Sequence, residues 1–124
     1  MPPLDPACLR LAAPQRALLS QLLAQHVPAA DVWAYGSRVS GGAHDGSDLD
    51  LVLRHSQDLS REVEGWFALK EALQDSSLPM LVEIHLWPHL PATFHQEIER
   101  HYVVVQEGRK GRGLDPADDR GAAR

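Results

Sequence analysis

At 124 residues, with 44% hydrophobic and 23% charged side chains, the chain has enough material for one packed domain but not two, and its middle reads as globular rather than disordered. A net charge of −5 with no long Lys/Arg block argues against direct binding of a nucleic-acid backbone. The only cysteine, Cys8, leaves no intramolecular disulfide, and no apolar run approaches a membrane span, so a cytoplasmic protein without membrane contact is expected.

In chain order, residues 1–13 carry Pro2, Pro3 and Pro6 and read as a flexible N-terminal segment. Pro14 suits the first turn of a helix, and Leu11, Leu18, Leu19, Leu22 and Leu23 recur at helical spacing to about Gln25. Val32 to Tyr35 reads as a buried strand, with Trp33 and Tyr35 on one face and Val32 and Ala34 on the other. It ends at Gly36-Ser37, a small-residue corner where a chain leaves a sheet and starts a helix. A helix start exposes unpaired N–H groups and suits a phosphate. Gly36 lets the backbone come close, Ser37 offers a hydroxyl, and Arg38 either reaches a phosphate or stands solvated. Gly41-Gly42 opens a turn, with His44 and Asp45 at its tip.

Ser47-Asp48-Leu49-Asp50-Leu51 begins a second strand, running to about Arg54. Alternation sends Leu49, Leu51 and Leu53 to the core and Asp48 and Asp50 together to the other face. Two carboxylates side by side repel, and a divalent cation between them relieves the repulsion. Ser60, followed by Glu62 and Glu64, predicts a helix N-terminus, with Val63, Trp66, Phe67 and Leu73 as the apolar stripe to about Gln74. Gly65 inside that helix costs it about 1 kcal/mol relative to Ala. Met80 to Trp87 reads as a third strand. In it Val82, Ile84 and Leu86 face one way and Leu81, Glu83, His85 and Trp87 the other. Glu83, a carboxylate in an apolar strand, either pairs with an arginine or points at Asp48 and Asp50. A helix from Pro91 to about Arg100 and a strand from Tyr102 to Val105 follow, then a tail, residues 107–124, expected to be disordered. His85, His89, His95 and His101 cluster in sequence, but Pro88 and Pro91 keep the first two off one helix face, and scattered histidines are expected rather than a zinc site.

Gly36-Ser37 followed by Ser47-Asp48-x-Asp50-Leu51, each part at a strand boundary, resembles the signature of the polymerase-β-type nucleotidyltransferases. More narrowly it resembles the minimal nucleotidyltransferases, the antitoxin half of HEPN–MNT toxin–antitoxin pairs, over roughly residues 15–106. The resemblance implies an α/β (α+β) polymerase-β-like fold: a mixed sheet of about four strands flanked by helices, occupying residues 14–106. It implies catalytic and metal-binding roles for Asp48, Asp50 and Glu83, two Mg²⁺ ions, and ATP as co-substrate held by Gly36, Ser37, Arg38 and Ser47. The third carboxylate of the resembled family is typically Asp, and here it is Glu83, one methylene longer.

Three functions fit these residues. One domain leaves no room for an acceptor-binding domain of its own, and the resemblance implies, first, an enzyme that transfers AMP from ATP to a tyrosine hydroxyl of a HEPN-type ribonuclease toxin. The second is an antitoxin that masks its partner by contact, and the third is nucleotidyl transfer to a small-molecule hydroxyl. No residue in the sequence reads the nucleotide base.

Overall fold

The structure is a computed structural model, and it describes residues 2–40 and 47–108. The turn carrying Gly41, Gly42, His44 and Asp45, and the tail from residue 109, lie outside the described residues.

Helix α1 spans Ala13–His26 and strand β1 Ala30–Tyr35; the single turn α2, Ser37–Ser40, follows at once. Strand β2 is Leu49–His55, helix α3 Trp66–Asp75 and strand β3 Val82–Leu86. A 3₁₀ turn, Trp87–His89, leads into helix α4, Ala92–Arg100, and strand β4, Val103–Gln106. The sheet order is β3-β2-β1-β4. β1 pairs antiparallel with both β2 and β4, while β2 and β3 run parallel. A parallel pair needs a crossover, and α3 supplies it.

Alternation along the strands builds two cores, one on each face. Val32 and Ala34 of β1, Leu49, Leu51 and Leu53 of β2 and Leu86 of β3 meet Leu19 and Leu23 of α1 and Leu69 and Leu73 of α3. The opposite face gathers Trp33, Tyr35, Val52, Trp87, Ile98 and Tyr102, with Phe94 of α4 packed against them. Trp33 stacks on Tyr102 at 4.0 Å, and the Arg54 guanidinium lies 3.9 Å from the Trp33 ring and 4.5 Å from that of Trp87. This second face is the one that carries Asp50 and Glu83.

Three local expectations need correction. The third helix does not begin at Ser60, whose N–H and hydroxyl are both given to Asp58 Oδ1 in a loop. It begins after Gly65, which has φ 90°, and a Cβ there would sit 2.2 Å from the His26 carbonyl oxygen. Gly65 therefore ends a loop and lets α1 pass, instead of weakening a helix interior. Phe67, expected in the apolar stripe, is 56% exposed, and Leu69 takes the buried position. The N-terminal segment also makes specific contacts: Leu9 is buried, Leu4 N–H donates to Tyr102 O, and Arg10 N–H donates to Arg38 O.

Candidate active site

β1 delivers its chain to Gly36 at φ 85°, a left-handed conformation that an L side chain adopts only at a cost. A Cβ at this position would lie 2.6 Å from Asp50 Oδ2. The glycine corner and the carboxylate strand are thus one piece of structure, touching where β1 and β2 pair. Register makes the rest: Tyr35 lies opposite Asp50, and Asp50 lies opposite Glu83. Three neighbouring strands place one polar row across the sheet, Tyr35–Asp50–Glu83. Asp48 precedes β2 by one residue and is exposed; Asp50 and Glu83 are half-buried.

The electrostatics follow from this crowding. The Asp50 carboxyl is pushed above its ordinary range, chiefly by burial. The imidazole of His85, two residues beyond Glu83, opposes the rise, while Asp48 and Glu83 add to it. The Tyr35 phenol is pushed upward first by burial and then by the charges of Asp50 and Glu83. Its hydroxyl is buried with no hydrogen-bond partner among the described residues.

The remaining residues singled out in the sequence have distinct places. Ser37 is exposed at the first position of α2. Arg38 is only 7% exposed: its Nε donates to Ser47 O at 2.9 Å and one Nη to Arg10 O at 2.8 Å. It ties the N-terminal segment to the residue that leads into Asp48. Ser47 is itself buried. Of the histidines, His89 meets Glu62 at 2.6 Å, and His95 stacks on Trp87 at 3.7 Å while donating to its carbonyl. Among the described histidines, His85 is the one whose charge acts on Asp50. Sequence reasoning passed over Tyr35 and His85, although the alternation that placed Asp50 and Glu83 on one face also places these two beside them.

Carboxylate oxygens are hard donors and suit Mg²⁺, which takes one or two carboxylates together with phosphate oxygens rather than a full protein cage. Asp48 and Asp50, with Glu83 alongside, have that partial character, and among the described residues no group of three or more His, Cys, Asp or Glu could hold a metal by itself.

Residues 18–110 match the family described as polymerase beta, nucleotidyltransferase. The chain belongs to that family. The nucleotidyltransferase is 38% identical, over 107 residues, to a protein of Haemophilus influenzae named probable protein adenylyltransferase MntA. The match covers 84% of this chain and 90% of the relative. The glycine corner, Arg38 and the carboxylate row all lie within the matched residues. No helix among the described residues is long and apolar enough to cross a membrane.

Proposed function

We propose that this nucleotidyltransferase moves AMP from ATP to a tyrosine hydroxyl of a partner protein, a HEPN-type ribonuclease toxin, and acts as its antitoxin. The observation that carries the reading is the contact of Gly36 with Asp50, in a row that continues to Glu83. In this reading the corner at Gly36 holds phosphate beside Asp50, with Glu83 on the neighbouring strand. The relative named as a protein adenylyltransferase supports a protein as acceptor.

In this reading the Gly36 backbone and the Ser37 hydroxyl hold the β- and γ-phosphates. Asp48 and Asp50, with Glu83, would hold Mg²⁺, which when bound would neutralise phosphate charge and lower the pKa of the acceptor hydroxyl. Glu83 receives the proton as the acceptor oxygen bonds to the α-phosphorus, the bond from that phosphorus to the bridging oxygen breaks, and pyrophosphate leaves. Positioning and electrostatics do the work, with no covalent enzyme intermediate.

Incubating the partner toxin with this protein, ATP and Mg²⁺, followed by intact-mass spectrometry, tests the reading. The partner gains the mass of AMP, and Asp48→Asn with Asp50→Asn abolishes the gain. A partner that is fully inhibited yet unmodified overturns the transferase reading in favour of masking.

A further inference from the structure

The polar row across the sheet has a direction. Gly36, where the proposed function seats the β- and γ-phosphates, lies on the β1 side of Asp50, and Glu83, which receives the proton, lies on the β3 side. Transfer at phosphorus puts the attacking and leaving oxygens roughly in line. With pyrophosphate leaving toward Gly36, the acceptor hydroxyl approaches over β3. The two sides also differ in cover. On the β1 side, the end of β1 and α4 enclose a cavity of about 270 Å³ that includes Gly36. On the other, β3 is the outer strand of the sheet, and no further strand walls the approach.

Leu81 stands at that approach. Leu49 N–H donates to Leu81 O at 2.9 Å, which carries the β2–β3 ladder one residue ahead of Val82. Alternation turns Leu81 to the face of Glu83, two residues on, and away from Val82 and Ile84, which pack against the core under α1 and α3. The register that sets Leu49 opposite Val82 sets Asp48 opposite Leu81. Leu81 is nevertheless 55% exposed and joins neither core. A single exposed leucine is ordinary on a protein surface, so position decides what this one does. Among the described residues, the other large exposed hydrophobic side chains are Leu59 and Phe67. Both follow the far end of β2, where Gly65 lines one cavity with His26 and His55. Leu81 is the one that borders the carboxylates.

A metal ion or a triphosphate gains nothing from an alkyl side chain. A partner's apolar side chain does, because covering Leu81 removes apolar area from water. Same-face neighbours on a strand lie about 7 Å apart. The acceptor that fits therefore carries a hydroxyl at Glu83 and an apolar group about 7 Å from it, as a protein surface around a tyrosine can and a small polyhydroxy compound cannot. We propose that Leu81 is a specificity-determining residue for the acceptor, seating an apolar side chain of the acceptor protein beside the hydroxyl that receives AMP. The proposal rests on the transfer reading above and adds the side of the site on which the partner is held.

Steady-state adenylylation of the partner toxin with ATP and Mg²⁺ tests it. Leu81→Ala raises the KM for the toxin by about tenfold, the gain left to a leucine that is half-exposed before binding, and leaves kcat and the KM for ATP unchanged. Leu81→Met, an apolar chain of similar volume, stays within about twofold of wild type. Phe67→Ala, at the other end of the molecule, leaves the toxin KM unchanged. An unchanged toxin KM in Leu81→Ala overturns the proposal. So does a loss confined to kcat or to the KM for ATP, which would put Leu81 at the nucleotide, and so does an equal rise in Phe67→Ala, which would mean diffuse apolar contact. Wild-type protein that binds the toxin in calorimetry yet transfers no AMP to it refutes the transfer reading and the proposal with it, a result distinct from these.

Discussion

Replacing Gly36 with alanine separates the cost of a backbone conformation from the cost of a displaced carboxylate. At φ 85° an L residue is penalised by about 1–2 kcal/mol. For a domain of this size that lowers Tm by roughly 4–10 °C. The added methyl would also stand 2.6 Å from Asp50 Oδ2, whereas ordinary contact begins at 3.4 Å, so the carboxylate must retreat by about 0.8 Å. It has little room to do so, because Glu83 lies in register on its far side. A misplacement near 1 Å at a reacting centre costs on the order of 10²-fold in rate. The expected outcome is therefore a modest loss of stability, read by scanning calorimetry, with a roughly 10²-fold loss of AMP transfer in initial-rate assays. A variant that loses the expected stability yet transfers at the wild-type rate would show that the glycine–carboxylate contact does not position Asp50. An unchanged Tm would show that the backbone argument fails.

Other substitutions probe the neighbouring features. Because the fold raises the Asp50 pKa, the stability this group contributes is full below its unfolded value of about 3.9 and falls as pH rises through the folded value. Asp50→Asn therefore raises Tm at pH 7 in EDTA, and the gap over wild type closes below about pH 4; a variant less stable than wild type at pH 7 refutes the sign. Added Mg²⁺ stabilises wild type and leaves this variant unmoved in the same melts. Arg38→Met leaves two main-chain carbonyls without their donor, costing about 1–3 kcal/mol in urea denaturation, and a loss under 0.5 kcal/mol would remove the bracing role. Leu51→Ala, at a position with no exposed surface, costs about 2–5 kcal/mol and leaves the affinity of the folded protein for Mg²⁺ unchanged.

Period-two alternation made the strands legible before any coordinates: Leu49, Leu51 and Leu53 against Asp50, and Ile84 against Glu83, follow from pleat geometry alone. The corner at Gly36 was legible because glycine followed by serine marks a change from strand to helix. What escaped depends on contacts distant in sequence. Ser60 with Glu62 and Glu64 has the composition of a helix start, but the His26 carbonyl beside Gly65 decides where the helix can begin. Arg38 could not be placed from its neighbours, because the carbonyls that accept from it belong to Ser47 and Arg10. The cavity beneath α4 is formed by residues from 35 to 101, which no local pattern connects.

The mixed direction of the sheet also bears on how the protein reaches its native state. Tyr35 and Asp50 are 15 positions apart in the chain, whereas Asp50 and Glu83 are 33 apart and must be joined through the α3 crossover. Doubling a loop adds only about 0.6 kcal/mol of closure entropy, but a parallel pair also requires its connecting helix to dock first. The antiparallel β1–β2 unit, bearing the glycine corner and Asp50, is therefore expected to gain order ahead of β3, with Glu83 arriving after Asp50 during refolding. Pulse-labelled hydrogen exchange would register this as protection of the Leu51 and Leu53 amides before those of Ile84 and Leu86. The reverse order would mean that the nucleus lies in the parallel half of the sheet.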